Sequence, residues 1–171
     1  LLAEAANRAL GARALSVTAV SPSLLEEDLM EAKTLAETLG FRHMVIQTGE
    51  LEDERYLLNT PLRCYFCKEE LYSHLWSIAL QEQIAWLANG TNVDDLGDFR
   101  PGLRSARENG VRSPLIEADL NKQDIRDLAK HWGIANWDKP SQACLSSRVP
   151  YGTPVTVEIL DKIGRAERFL S

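Results

Sequence analysis

The sequence predicts an α/β fold, a parallel sheet with helices on both faces. Short apolar runs of strand length, at 15–20, 43–47 and 84–88, alternate with longer segments whose apolar residues recur at helical spacing. Turn and breaker residues fall between them. The 171 residues are 44% hydrophobic and 26% charged, about one domain, with enough apolar chain to form a core without a disulfide or metal staple.

Each element follows from the same rules. Leu2, Ala5, Ala6, Ala9 and Leu10 share one stripe, which predicts a helix over 1–10 with Gly11 as its stop. After the strand at 15–20, Ser21-Pro22-Ser23 turns the chain. Ser23 and Glu26 have capping-box spacing ahead of a helix that keeps Leu25, Leu29, Ala32, Ala36 and Leu39 inward as far as Gly40. The strand at 43–47 follows, then an acidic stretch at 50–58 that reads as a short helix or loop, then a break at Asn59-Thr60-Pro61. A helix is predicted over 65–82, with Leu71, Leu75 and Ile78 buried. It leads to the third strand at 84–88. A brief helix is expected at 104–108 and an extended stretch at 113–116. Asn121 caps a helix with Ile125, Leu128, Ala129 and Trp132 inward, ended by Gly133. Residues 137–153 read as loop, and 155–170 place Ile159, Ile163, Ala166 and Leu170 on one helical face. Both termini read as cut through helices, so the chain is expected to be a domain truncated at both ends. Parallel sheets bind ligands beyond the carboxyl ends of their strands, which marks 21–23 and 89–98.

Charge narrows the function. Lys and Arg number 19 against 25 Asp and Glu, a net charge of −6, so a polyanion such as nucleic acid is not the expected partner. No apolar run approaches the ~18 residues of a membrane helix. Three cysteines do not suit a secreted disulfide framework. Cys64 and Cys67 form a C-x-x-C, which points to a reducing compartment, the cytoplasm, and to a metal or redox role.

The C-x-x-C lies at a predicted helix start, where thiolates gain from the helix dipole and from Arg63 and Lys68. With Cys144, three thiolates can hold three irons of a [4Fe–4S] cluster and leave one iron open. Zinc wants a fourth ligand, and His74 sits mid-helix; buried packing cysteines are the plainer reading. Ser146, Ser147 and Arg148 suit a phosphate or carboxylate, and the adjoining Cys144 a nucleophile or sulfur carrier. A surface turn with a solvated arginine accounts for the same residues. Gly90 permits close backbone approach to a ligand, and Asp94, Asp95 and Asp98 offer hard oxygens to Mg²⁺, although acidic turns are common. Arg100, Arg104 and Arg107 recur at helical spacing, facing either an anionic substrate or solvent.

Three runs then stand together: N-G-T-N-V-D-D at 89–95, D-F-R-P-G-L at 98–103 and C-L-S-S-R-V-P-Y-G at 144–152. They closely resemble the LarE family, ATP-dependent sulfur transferases of the PP-loop pyrophosphatase superfamily, over nearly the whole chain. The resemblance implies an adenine nucleotide alpha hydrolase-like domain at 1–153, with 154–171 starting a helix toward a further C-terminal domain. It implies adenylation of a carboxylate of pyridinium-3,5-biscarboxylic acid mononucleotide, with release of pyrophosphate. Conversion to a thiocarboxylate follows, on the route to the nickel-pincer cofactor of lactate racemase. Cys144 matches the family's reactive cysteine. In some members a lone cysteine there gives up its own sulfur and becomes dehydroalanine. Members with an added C-x-x-C hold a [4Fe–4S] cluster, and Cys64, Cys67 and Cys144 place this chain with them. The superfamily's S-G-G-x-D-S phosphate loop is absent from the chain and is expected immediately upstream.

Carried over by position, Ala19, Val20 and Ser21 flank the adenine, and Gly90, Thr91 and Asn92 lie near the nucleotide. Asp94 and Asp98 lie near Mg²⁺; Ser146, Ser147 and Arg148 bind phosphate; Lys68, Arg100 and Arg104 meet the substrate's charges. The implied cofactors are ATP, Mg²⁺ and the cluster. The implied partners are a small anionic pyridinium mononucleotide and a sulfide donor, with no nucleic acid or membrane and with homo-oligomerisation expected. The rival readings are a PP-loop transfer-RNA thiolase and a non-enzymatic, metal-stabilised interaction module.

Overall fold

The computed structural model describes residues 1–97 and 99–170. Two parallel strands, β1 (Ser16–Val20) and β2 (His43–Gln47), pair in register from Ser16–His43 to Val20–Gln47. The crossover between them is α2 (Glu26–Leu39), closed by Gly40 in the left-handed conformation at φ 69°. This is the expected βαβ unit. Ahead of it, α1 (Leu2–Leu10) ends at Gly11, φ 56°. After β2 come a single 3₁₀ turn (Glu50–Glu52), α3 (Glu54–Leu57) and the long α4 (Arg63–Gln81).

The third strand is a correction. Residues 84–88 make one parallel bridge, Ala88 with Arg112, fixed by Asn89 N–H to Arg112 O and Arg112 N–H to Leu87 O, each 2.9 Å. The run is apolar enough for a strand, but a strand needs a ladder, and this one meets a single paired residue. Trp86 is correspondingly 65% exposed. The chain continues through α5 (Pro101–Glu108), α6 (Pro114–Glu117), α7 (Lys122–His131) and α8 (Val157–Leu170). The stretch expected to be extended at 113–116 is therefore mostly the short helix α6, started by Pro114 at N1, where its missing N–H costs nothing.

Capping divides in the same way. Asn121 makes a full capping box with Asp124 at the start of α7. Ser23 does not cap α2, whose N-cap is Leu25 with no side-chain bond. Its hydroxyl turns inward to Tyr56 (2.9 Å) and Ser146 (2.8 Å), because a buried hydroxyl must find a partner.

Two apolar clusters hold the elements. Tyr72, Ala106 and Val111 join α4 to α5 and the segment after it, with Leu75 and Leu87 against them. Tyr56, Leu145, Val149, Val155 and Leu160 join α3, the 144–155 segment and α8, and Cys67 of α4 packs on them. Gly164 lets α8 approach: a Cβ there would meet Leu145 Cδ1 at 3.3 Å. No helix among the described residues is long and apolar enough to cross a membrane.

Candidate functional site

The second cluster is the floor of a site where the cysteine-bearing segments meet. Cys64 and Cys67 lie in the first two turns of α4, both half-buried; Cys144 is exposed, just before a 3₁₀ turn (Leu145–Arg148). That turn is pinned from below. Leu145 N–H donates to Ser23 O (3.0 Å), and the fully buried Ser146 hydroxyl bonds Ser23 Oγ and the Tyr56 hydroxyl (2.6 Å). Burial pushes the Tyr56 phenol up to about 12, against the lowering effect of its two serine partners.

Arg63, 3% exposed, closes the site from the side. Its Nη1 donates to Asn59 Oδ1 (2.7 Å) and to Ser146 O (2.5 Å). Its Nη2 donates to Ser147 Oγ (3.2 Å) and lies 3.7 Å from Cys64 Sγ. Ser147 Oγ is in turn 3.4 Å from Cys144 Sγ. Asn59 uses its amide to hold the far side of the loop, donating to Val149 O (3.3 Å), Pro150 O (2.8 Å) and Thr153 O (2.8 Å). The second motif run, 98–103, arrives through the start of α5. A Cβ on Gly102 would meet Lys68 Cγ at 3.2 Å and Cys64 O at 3.5 Å, so a larger residue here would make Lys68 shift by a few tenths of an ångström for α5 to sit this close to the cysteine turn.

The electrostatics correct one expectation. Helix dipole, Arg63 and Lys68 were to favour thiolates at the C-x-x-C. At Cys67 burial wins and pushes the thiol up to about 12; Lys68 opposes the rise, and Glu50, Cys144 and Cys64 add to it. Burial in apolar packing therefore favours the neutral form of the Cys67 thiol. Cys64 and Cys144 both lie close enough to Cys67 to act on it, yet no group of three or more His, Cys, Asp or Glu side chains is gathered for a metal ion among the described residues.

The other sequence-predicted residues divide. Ser146 faces the core, its hydroxyl committed, and does not present itself to a ligand. Arg148 turns away from Ser147, and its Nε donates to Glu167 of α8 (2.8 Å). Ala19 and Val20 end β1, where Val20 O accepts from Thr48 N–H (3.1 Å). Ser21 donates to the buried carboxylate of Glu50, whose Oε2 has no hydrogen-bond partner. Gly90 has open space on its Cβ side. Thr91 N–H donates to Asn89 Oδ1 (3.1 Å) and Asn92 N–H to Asp95 Oδ2 (3.0 Å), which makes 89–95 a self-braced loop. Asp94 Oδ2 accepts from Lys122 N–H at the start of α7 (2.8 Å). Asp98 lies outside the described residues. Arg100 pairs with Asp95 (2.8 Å). Arg104 pairs with Glu108 (2.8 Å) and sits over the Tyr65 ring at 5.4 Å. Sequence reasoning missed Asn59 and Tyr56. The available signal for Asn59 was its place one helical turn before Arg63.

No family profile matches the chain. It is 46% identical over 170 residues to an uncharacterised protein of Synechocystis, covering 99% of this chain and 63% of that one. It is 37% identical over 155 residues to the pyridinium-3,5-bisthiocarboxylic acid mononucleotide synthase of Lactiplantibacillus plantarum, covering 91% of this chain and 56% of that one. It is 28% identical over 165 residues to the tRNA-specific 2-thiouridylase MnmA of Maricaulis maris, covering 80% and 40%. The chain thus spans about three fifths of the first two relatives' length.

Proposed function

Because the chain belongs to the LarE family of the PP-loop superfamily, we propose that its parent protein converts a carboxylate of a pyridinium mononucleotide to a thiocarboxylate at the expense of ATP. The substrate is pyridinium-3,5-biscarboxylic acid mononucleotide, and the product feeds nickel-pincer cofactor assembly. The observation that carries this reading is the meeting of the two cysteine segments at one place, across Arg63 and Ser147.

The reaction needs two displacements. A substrate carboxylate oxygen attacks the α-phosphorus of ATP, and the bond to pyrophosphate breaks. A sulfur nucleophile then attacks the acyl carbon, and AMP leaves with the electron pair of the C–O bond. Residues 19–21, at the carboxyl end of β1 where parallel sheets bind ligands, and the loop at 90–92 are the nucleotide-facing candidates. Ser147 is exposed and supplies a hydroxyl to the phosphate; Arg148 joins it on releasing Glu167. Arg100 and Arg104 offer charge to the substrate from the α5 end, with Lys68 beside them on α4. Asp94 has used one acceptor position on Lys122, and a carboxylate keeps further lone pairs for Mg²⁺, with Asp98 as its companion. Mg²⁺ offsets the phosphate charge when bound.

Cys64, Cys67 and Cys144 are the type of soft donor that a [4Fe–4S] cluster takes, although they are not gathered as a metal-binding group among the described residues. Such a cluster, if bound, would be held by these three thiolates and would supply sulfide. The protein's own part is to hold two thiols on a rigid helix and the third on a turn at its edge. Free thiols favour a reducing compartment, and the cytoplasm is the proposed location.

The test is ATP-dependent thiocarboxylate formation by full-length protein, read by mass spectrometry, with iron and sulfide analysis after anaerobic purification. Full activity in Cys144→Ala removes Cys144 from sulfur transfer. Bound zinc with about one iron or fewer per chain favours the metal-stabilised module. Thiolation of tRNA in place of the mononucleotide favours the transfer-RNA reading, against which the net charge of −6 stands.

A further inference from the structure

The two cysteine segments are joined by a side chain to which the proposed displacements assign no role. Arg63 is buried, and no carboxylate pairs with it among the described residues. A buried guanidinium left without an anion is costly unless fixed dipoles compensate. Here Nη1 takes two such dipoles, Asn59 Oδ1 and Ser146 O, which orient the group. Nη2 faces the other way, between Ser147 Oγ and Cys64 Sγ, on the side where Cys144 stands. The Tyr151 ring lies 5.8 Å from the guanidinium carbon. A planar fork serves two such directions at once; the ammonium of a lysine is a single point of charge and does not.

We propose that Arg63 is the positioning residue of the sulfur site, locking the Cys144 turn onto the first turn of α4 and presenting its Nη2 to an anionic sulfur held between Cys64 and Cys144. The inference rests on the sulfur-transfer reading above and deepens it. Arg63 reaches the adenylation step only through Ser147, so its loss weighs less on pyrophosphate exchange than on sulfur transfer. Its loss frees residues 144–153, which depend on Arg63 through Ser146 and, by way of Asn59, through Val149, Pro150 and Thr153.

The experiment compares full-length parent protein with Arg63→Lys and Arg63→Gln in three assays. These are ATP–pyrophosphate exchange with the mononucleotide, thiocarboxylate formation, and hydrogen–deuterium exchange of the metal-free protein, with iron and sulfide counted after anaerobic reconstitution. The expected result is a fall of about tenfold or less in pyrophosphate exchange, the size of one weakened hydrogen bond, and a fall of about 100-fold in the kcat of thiocarboxylate formation, the size of effect an ångström of misplacement brings. Iron and sulfide should fall below half of the parent's, and deuterium uptake should rise at 144–153 but not in α7. Arg63→Lys matching the parent in transfer and in iron and sulfide overturns the inference. Loss of protection across the whole chain together with loss of pyrophosphate exchange also overturns it, since Arg63 is then a folding residue. A parent protein that neither exchanges pyrophosphate nor forms thiocarboxylate sinks the function proposed above, a failure separate from either of these.

Discussion

Two adjacent serines in one motif have opposite assignments in this structure, and stability measurements separate them. Ser146 is fully buried and bonds Ser23 at 2.8 Å and Tyr56 at 2.6 Å; Ser147 is exposed, and its hydroxyl bonds Arg63 and Cys144. Replacing Ser146 with Ala deletes two buried neutral hydrogen bonds, worth about 1 kcal/mol each. The penalty is softened because Ser23 and Tyr56 keep their mutual bond at 2.9 Å, so neither hydroxyl is orphaned. The expected cost of Ser146→Ala is therefore about 1–2 kcal/mol, seen in urea unfolding as a lower midpoint at unchanged slope. Ser147→Ala should cost less than about 1 kcal/mol, because water can take over its bonds, while slowing thiocarboxylate formation more than Ser146→Ala does. A Ser146→Ala protein within 0.5 kcal/mol of the parent, by the same ~1 kcal/mol scale, or a Ser147→Ala protein that is the less stable of the two, would refute the burial argument.

Further outcomes follow from the same contacts. Leu160 has no exposed surface at the centre of the second cluster, so Leu160→Ala should cost about 2–5 kcal/mol in the same titration. Asn121→Ala should cost about 1 kcal/mol by opening the capping box of α7, and Asn121→Asp should restore most of it. Arg148→Ala should change stability by less than about 1 kcal/mol, because its pair with Glu167 joins an exposed arginine to a half-buried carboxylate at the surface. Tyr56 has a phenol raised to about 12 in the fold against about 10 in the unfolded chain. The unfolded state loses that proton first, so this contribution to stability is complete below about pH 10 and declines as the pH rises through about 12. Tyr56→Phe should remove that part of the alkaline decline, measured by urea titration at stepped pH.

The legible parts of the fold were those written in local pattern. The βαβ unit follows from two apolar runs and an amphipathic segment between them, and α7 from Asn121, Asp124 and the apolar stripe behind them. Partner-dependent features were illegible. Residues 84–88 have strand composition, but composition does not say whether a ladder partner lies alongside, and only Arg112 does. Ser23 has N-cap spacing, but a hydroxyl caps a helix only if nothing better competes, and Tyr56 and Ser146 compete from 33 and 123 residues away.

The candidate site shows the same limit at finer scale. The cysteines and the C-L-S-S-R run were found from residue type and spacing, and the structure brings their segments together. The arginine was the harder choice. Arg148 sits inside the motif beside two hydroxyls, which makes it the natural anion ligand on paper. Yet Glu167 stands within reach on α8 and satisfies it at the surface. Arg63 stands at the start of α4, where the preceding turn supplies Asn59 four residues back and the chain's return supplies Ser146 O. An arginine is buried only where enough acceptors await its five donors. Counting acceptors requires knowing which distant segment returns, and that is set by the apolar floor of Tyr56, Leu145, Val149, Val155 and Leu160. The hydrophobic cluster thus does more than stabilise α8. By fixing where residues 144–153 land, it decides which arginine faces the cysteines, and so the chemistry of the site depends on packing beneath it.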